Sequence, residues 1–483
     1  MSKERKTIVS TAYRTHAIKA TAAGVAVVAA LSLGGCGGQQ AAPQEEQAPA
    51  QEEQAPADEQ AGDEAKDESK STVPAAFKDQ LFYANGTWVY ADGTKLGTFT
   101  IDGHEIEPTA QYGDKANCLM GPFSDGRAIA MWKTSDYDEE WQEEINERMH
   151  AAVVDAQGNV VKNLEDIVSR YTDTDATMFL YDNDVYFSEG IAMISIVSEE
   201  GNDLIMNLVA IDTQGNELFA ISEKDEKYTD GALATRCQFH DGVAQVSKDV
   251  FVDTAGNVVF DARTTDMKYV ASAGKGLYAE AIEWKNPGFS NAVDTTVYDS
   301  TGAVVFDVED LKGSKYSGAR NQLLGSGLTL VWLTEESPND TGKTHTWSGI
   351  YDIAAKKWIL EPVRKSITAG PVRDGVFALE VSDNIQSGGM GEDAEGSADT
   401  GGLGNGIGLM RTDGTWAVEP HATGAFTDRD EDSDVSYLGG GFWQYFNEDV
   451  ENYCTLVKVS GKSVDTFDPS FKAKPTFAYF PED

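Results

Sequence analysis

The chain has 483 residues, with 41% hydrophobic and 10% aromatic side chains, enough to build a sizeable core. It carries 38 Lys and Arg against 80 Asp and Glu, a formal net charge of −42, and such a surface repels phosphate backbones. Nucleic-acid partners are excluded on that ground, and 47 glycines with 14 prolines point to many tight turns.

Lys3, Arg5, Lys6, Arg14 and Lys19 open the chain, followed by an Ala/Val/Leu-rich run from Ala20 to Leu33. The run is shorter than the roughly 20 apolar residues of a permanent span and has the layout of a secretory leader. It ends in Leu33-Gly34-Gly35-Cys36, which resembles the bacterial lipobox. The resemblance implies cleavage after residue 35, with Cys36 as the lipidated first residue of an exported protein. The expected location is extracytoplasmic, on the cell membrane through two acyl chains, since one anchors only marginally. Residues 36–75 form an acidic Gln/Ala/Pro/Glu linker in which Gln44–Ala50 is repeated by Gln51–Ala57. A segment so poor in apolar residues cannot offset its ordering entropy, so disorder is expected.

Residues 76–483 read as a repeat domain of short strands. One motif is a Gly-started strand after a short turn: Phe123-Ser124-Asp125-Gly126, Phe187-Ser188-Glu189-Gly190, Phe239-His240-Asp241-Gly242 and Val372-Arg373-Asp374-Gly375. Looser copies begin at Gly276, Gly327 and Gly441, and the seven glycines recur on average about every 52 residues. Each copy is followed by a strand, an Asp-x-x-Gly turn and a returning strand, as at Asp155–Gly158, Asp212–Gly215, Asp253–Gly256 and Asp299–Gly302. Asp accepts backbone hydrogen bonds across such a turn and Gly takes the positive φ. Degenerate versions end in Trp358–Pro362 and Trp416–Pro420.

The expected fold is all-β, a β-propeller of about seven blades after the linker. Eight blades, or tandem β-sandwiches, are the alternatives. The Phe99–Pro108 hairpin could complete an eighth blade or close the ring. One helix is expected as an insertion in the first blade, at Asp138–Met149, where Glu144 and Arg148 stand at i, i+4. The couplets resemble the WG-repeat pattern of exported bacterial proteins, best from Val372 to Pro420, although the Trp-Gly dipeptide itself is absent. That resemblance implies a binding or scaffolding module and no chemistry.

The search for chemistry returns little. Asp428, Asp430, Asp432 and Asp434 place acidic oxygens at every second position, as a Ca²⁺ loop does. Ser433 replaces the turn glycine, however, and Gly439 stands where a bidentate Glu belongs. A solvated acidic loop is the default reading and calcium the competing one; Asp182-Asn183-Asp184 is a weaker acidic loop. Asp340–Thr344 imitates the end of a phosphate loop without its first glycine. Asp413-Gly414-Thr415-Trp416 is similar to the Asp-box turn of sialidase-type propellers, with a Trp packed between blades as the simpler reading. Cys118, Cys237 and Cys454 allow at most one internal disulfide, or inert buried thiols. No histidine pair has metal-ligand spacing. Two functions stay open: a lipid-anchored binding or scaffold module for a glycan or protein ligand, and a secreted glycan-active hydrolase using loop carboxylates.

Overall fold

Seven small antiparallel sheets follow one another along the chain and stand in a ring, giving a seven-bladed β-propeller. The computed structural model describes residues 72–473 apart from 85, 102, 107–117, 139–142, 172–184, 201–202, 230–231, 235–236, 268–269, 281–295, 337–343, 384–402, 423–434 and 448–452. Two hairpins come first, β1 (Leu81–Ala84) with β2 (Thr87–Tyr90), and β3 (Phe99–Ile101) with β4 (His104–Ile106). Blade 1 is β5 (Cys118–Met120), β6 (Arg127–Asp138), β7 (Glu143–Asp155) and β8 (Val160–Asn163). Blade 2 is β9 (Ile191–Glu200), β10 (Asp203–Asp212) and β11 (Glu217–Ser222); blade 3 is β12 (Val243–Gln245), β13 (Val250–Asp253) and β14 (Val258–Asp261). Blade 4 is β15 (Val270–Gly274), β16 (Leu277–Glu280), β17 (Val297–Asp299) and β18 (Val304–Phe306). Blade 5 is β19 (Gly318–Gly325), β20 (Leu328–Glu336), β21 (Thr344–Asp352) and β22 (Lys357–Val363). Blade 6 is β23 (Lys365–Ala369), β24 (Val376–Asp383), β25 (Gly406–Arg411) and β26 (Trp416–Ala422). Blade 7 is β27 (Val435–Gly439), β28 (Phe442–Asn447), β29 (Tyr453–Ser460) and β30 (Ser463–Phe467).

The repeated motif before each Gly-started strand is a two-residue hairpin turn with positive φ at both central positions. The pairs are Asp125-Gly126, Glu189-Gly190, Asp241-Gly242, Lys275-Gly276, Ser326-Gly327, Asp374-Gly375 and Gly440-Gly441, all between +49° and +78°. This is the turn whose twist matches that of the strands it joins. The second motif is an aspartate-cornered hairpin. Asp212 Oδ1 accepts from the backbone of Gln214 (2.9 Å) and Asn216 (2.8 Å), while Oδ2 accepts from Asn216 Nδ2 (3.0 Å). Asp253 repeats the pattern with Ala255 and Asn257. At Asp299 the hydroxyl of Thr301 replaces the Asn amide (2.6 Å). In an antiparallel four-strand blade, turns 1–2 and 3–4 lie at the same end, so both motifs decorate one face of the ring.

Apolar side chains fill the layers between neighbouring blades. Ile129, Val153, Ile194 and Val209 join blades 1 and 2; Leu208, Phe239 and Val252 join 2 and 3; Phe260 stacks on Tyr278 (4.0 Å) between 3 and 4. The series continues through Val297 and Leu333, then Leu330 and Phe377, and ends with Leu409 and Trp443. The seventh and first blades are bridged by the β1–β2 hairpin. Leu81, Tyr83 and Trp88 point into a cluster with Trp132 and Val154 of blade 1. Phe82, Ala84 and Val89 pack with Phe442, Leu456 and Phe467 of blade 7. Alternation along a strand buried on both faces makes this hairpin a wedge.

Two expectations change. Residues 143–149, expected as part of a helix, belong to β7, and Asp138 ends β6: Tyr137 pairs with Glu144 and Thr134 with Arg148. One i, i+4 ion pair contributes a few tenths of a kcal/mol, which strand pairing along both arms outweighs. Within the stretch expected as the Phe99–Pro108 hairpin, β3 and β4 form a two-stranded sheet of their own beside the seven blades and build no eighth one. The one α-helix among the described residues is α1 (Glu165–Tyr171), docked through Ile167 and Val168. Among the described residues no helix is long and apolar enough to cross a membrane.

Candidate functional site

The two-residue turns that join first and second strands converge on a single depression of about 550 Å³ including its open mouth. Ser124, Asp125, Tyr186, Glu189, His240, Asp241, Ser326, Arg373, Asp374 and Tyr437 line it. These residues come from blades 1, 2, 3, 5, 6 and 7, and the axis of the ring is the one place where so many blades can meet. Asp125, Glu189, Asp241, Ser326 and Asp374, each the residue before its turn glycine, stand at the opening, so four carboxylates crowd the rim.

Each carboxylate reaches another blade. Asp125 Oδ2 accepts from the Gly190 amide (2.8 Å) and Glu189 Oε2 from the Gly242 amide (2.8 Å). Asp241 passes over blade 4 to accept from the amide (2.9 Å) and hydroxyl (2.8 Å) of Ser326. That path exists because residue 274 is glycine: a Cβ there would lie 2.3 Å from Asp241 Oδ2. Asp374 accepts from the Tyr437 hydroxyl. Lys458 donates to the Gly440 carbonyl, at the joint where blade 7 returns to blade 1. Deeper in, Arg373 is 7% exposed, with Nη1 3.5 Å from His240 Nε2.

Burial shapes the protonation of this cluster. It raises the Asp125 carboxyl; Asp374 pushes the same way, while the Gly190 amide and Lys458 oppose. His240 is lowered to about 3 by burial and by Arg373, so its ring is neutral at pH 7. Burial lowers Lys458 against the pull of Asp374 and Asp125. Burial and Asp374 together hold the Tyr437 phenol well above 10. The cavity therefore offers a ring of hydrogen-bond acceptors at its mouth and a guanidinium beside a neutral imidazole beneath. It suits a ligand with several donors, such as hydroxyls or an ammonium, and an acceptor at its inner end.

The sites expected from sequence fall elsewhere. Cys36, Asp428, Asp430, Asp432 and Asp434 lie outside the described residues, as do Asp182–Asp184 and 340–343. Among the described residues no group of three or more His, Cys, Asp and Glu side chains is placed to hold a metal ion. Asp413 caps its own turn, accepting from the Thr415 amide (2.9 Å) and hydroxyl (2.6 Å), and Trp416 packs between blades 5 and 6. Cys237 and Cys454 are buried free thiols, each pushed up to about 12 by burial. The rim carboxylates were visible in sequence only as turn residues. Asp suits a left-handed position, so its recurrence there carried no further message. Glu189 did carry one, because Glu gains nothing from that conformation.

Fold and site together define a seven-bladed propeller with a polar, acid-rimmed axial cavity. No family model matches the chain, and no curated protein matches it. Solved structures do. The β-propeller domain of the Trilobed protease from Pyrococcus furiosus, which has an open velcro topology, is 9% identical over 74% of this chain and 86% of that one, with a TM-score of 0.25. The exotype rhamnogalacturonan lyase YesX is 14% identical over 63% and 62%, with a TM-score of 0.23. The polysaccharide lyase Uly1 is 10% identical over 82% and 89%, with a TM-score of 0.23. At such values the likenesses carry no functional argument, and the propeller assignment stands on the seven sheets.

Proposed function

We propose that this chain is a lipid-anchored, extracytoplasmic binding module of WG-repeat type that captures an envelope or extracellular ligand, a glycan or a protein, at the axial cavity. The observation that carries the binding role is the convergence of Asp125, Glu189, Asp241 and Asp374 from four blades around one opening. The leader and Leu33–Cys36 support the anchor. The full chain on glycan and protein arrays tests the role: binding that Asp374→Asn and Glu189→Gln weaken supports it, whereas silence, or binding indifferent to both, overturns it. Loss of membrane retention in Cys36→Ser tests the anchor.

A second reading, the glycan-active hydrolase, is favoured by one observation. Burial raises the Asp125 carboxyl, with Asp374 within electrostatic reach, and a raised carboxyl is what the acid of a glycosidase needs. Turnover of fluorogenic glycosides that Asp125→Asn abolishes would establish it.

A further inference from the structure

A second cluster of reactive groups lies on blade 1, well away from the axial mouth. β6 leaves its axial turn at Arg127, and Thr134 stands seven residues further on, roughly 23 Å along the strand. Thr134 Oγ1 is 2.7 Å from His150 Nε2, and His150 Nδ1 is 2.5 Å from Glu165 Oε1. Three elements hold this chain of contacts. Trp132 and His150 are cross-strand partners on β6 and β7, and their rings stack at 5.3 Å. The register shifts between Thr134 and Asp136, a bulge of the kind that re-aims side chains. Glu165 is fixed at the start of α1, where its amide donates to Asn163 Oδ1 (2.8 Å) and the buried Ile167 and Val168 anchor the helix.

With Glu165 ionised, Nδ1 carries the ring proton and donates it to the carboxylate. Nε2 then presents its lone pair to the Thr134 hydroxyl, which donates. Hydroxyl, imidazole and carboxylate in that order are the arrangement that activates an oxygen nucleophile. Thr134 is half-buried, and His150 and Glu165 are 19% and 42% exposed at the side chain, so the cluster meets solvent. We infer that Thr134, His150 and Glu165 form an acyl-transfer centre for small carboxylic esters. Thr134 Oγ adds to the ester carbonyl carbon as its proton passes to Nε2. The ester C–O bond breaks, and the leaving alkoxide takes that proton from Nε2. Water then attacks the acyl-threonine, gives a proton to Nε2, and Oγ leaves and recovers it. Thr134 and His150 are the catalytic residues; Glu165 acts through His150 as a positioning residue.

The test uses the full chain with p-nitrophenyl acetate, following nitrophenolate release and mapping the acetyl adduct by mass spectrometry. Expected are an adduct on Thr134, release retained by Thr134→Ser, and release lowered about 100-fold or more by Thr134→Val and His150→Gln. Glu165→Gln should shift the midpoint of the pH–rate profile, while unchanged thermal melts show each variant folded. Equal release from wild type and Thr134→Val, or an adduct on other residues only, overturns the inference and leaves these contacts as the strut that seats α1. Neither outcome bears on ligand capture at the axis.

Discussion

Replacing Phe82 by Ala tests whether the amino-terminal hairpin closes the ring. Phe82 is 2% exposed and meets Phe442 of blade 7 edge-on at 5.7 Å and Phe471 at 6.1 Å. Truncating a buried phenylalanine costs about 3–5 kcal/mol, the transfer loss plus the cavity left behind. For a unit spanning Thr72–Glu482 the unfolding entropy is on the order of 0.9 kcal/mol/K. The melting temperature should therefore fall by about 3–6 °C in a calorimetric or circular-dichroism melt. Phe377→Ala, a fully buried residue between blades 5 and 6, is the reference for an ordinary interblade cavity and should cost about the same. Hydrogen exchange separates the two. Phe82→Ala should raise exchange in β1, β2, β6 and β28, on both sides of the joint, because the wedge packs against blades 1 and 7 alike. A melting shift below about 1 °C, with faster exchange confined to residues 81–90, would refute the wedge and make the hairpin an appendage.

Three further outcomes follow from the same geometry. Asp212 and Asp253 are lowered because, although burial raises them, the bonds from Asn216 and Asn257 outweigh it; Asp299 and Asp413 are lowered chiefly by the hydroxyls of Thr301 and Thr415. Depressed folded values mean stability that is fully present above the unfolded carboxylate range near 3.9 and lost as pH falls through the folded values. Denaturant midpoints should thus drop below about pH 4, and Asp253→Asn should flatten that drop. Cys237 and Cys454, with thiols near 12, should resist iodoacetamide at pH 8 in the folded chain and react once it is unfolded, as peptide mapping would show. Gly256→Ala places a Cβ 2.7 Å from the Phe219 ring at φ +78°, so urea unfolding should show a loss of about 1–3 kcal/mol.

Much of this architecture could be read from the chain, because its punctuation is local. Asp-Gly at Asp125, Asp241 and Asp374, and Asp-x-x-Gly at Asp212 and Asp253, specify their turns through their own backbone requirements, whatever surrounds them. Seven such couplets point to about seven blades, and the seven sheets settle the number. The β1–β2 wedge is not legible in the sequence because its strands carry neither motif, and only the packing of Phe82 and Trp88 on opposite faces reveals its place. The stretch around Glu144 reads as helix from sequence because a helical ion pair and a long hairpin arm look alike until the pairing partner is known.

The axial cavity belongs to the tertiary structure. Asp125 and Asp374 are 249 residues apart in sequence, and nothing near either one says that they share an opening. Sequence by itself determined the turns, the strands and their repetition, since these depend on backbone preferences and alternation over a few residues. Closing the ring decided which turn residues became a site. It brought the same small corner of six blades to one axis, where burial and neighbouring charge gave Asp125, His240 and Tyr437 a character absent from the isolated motif.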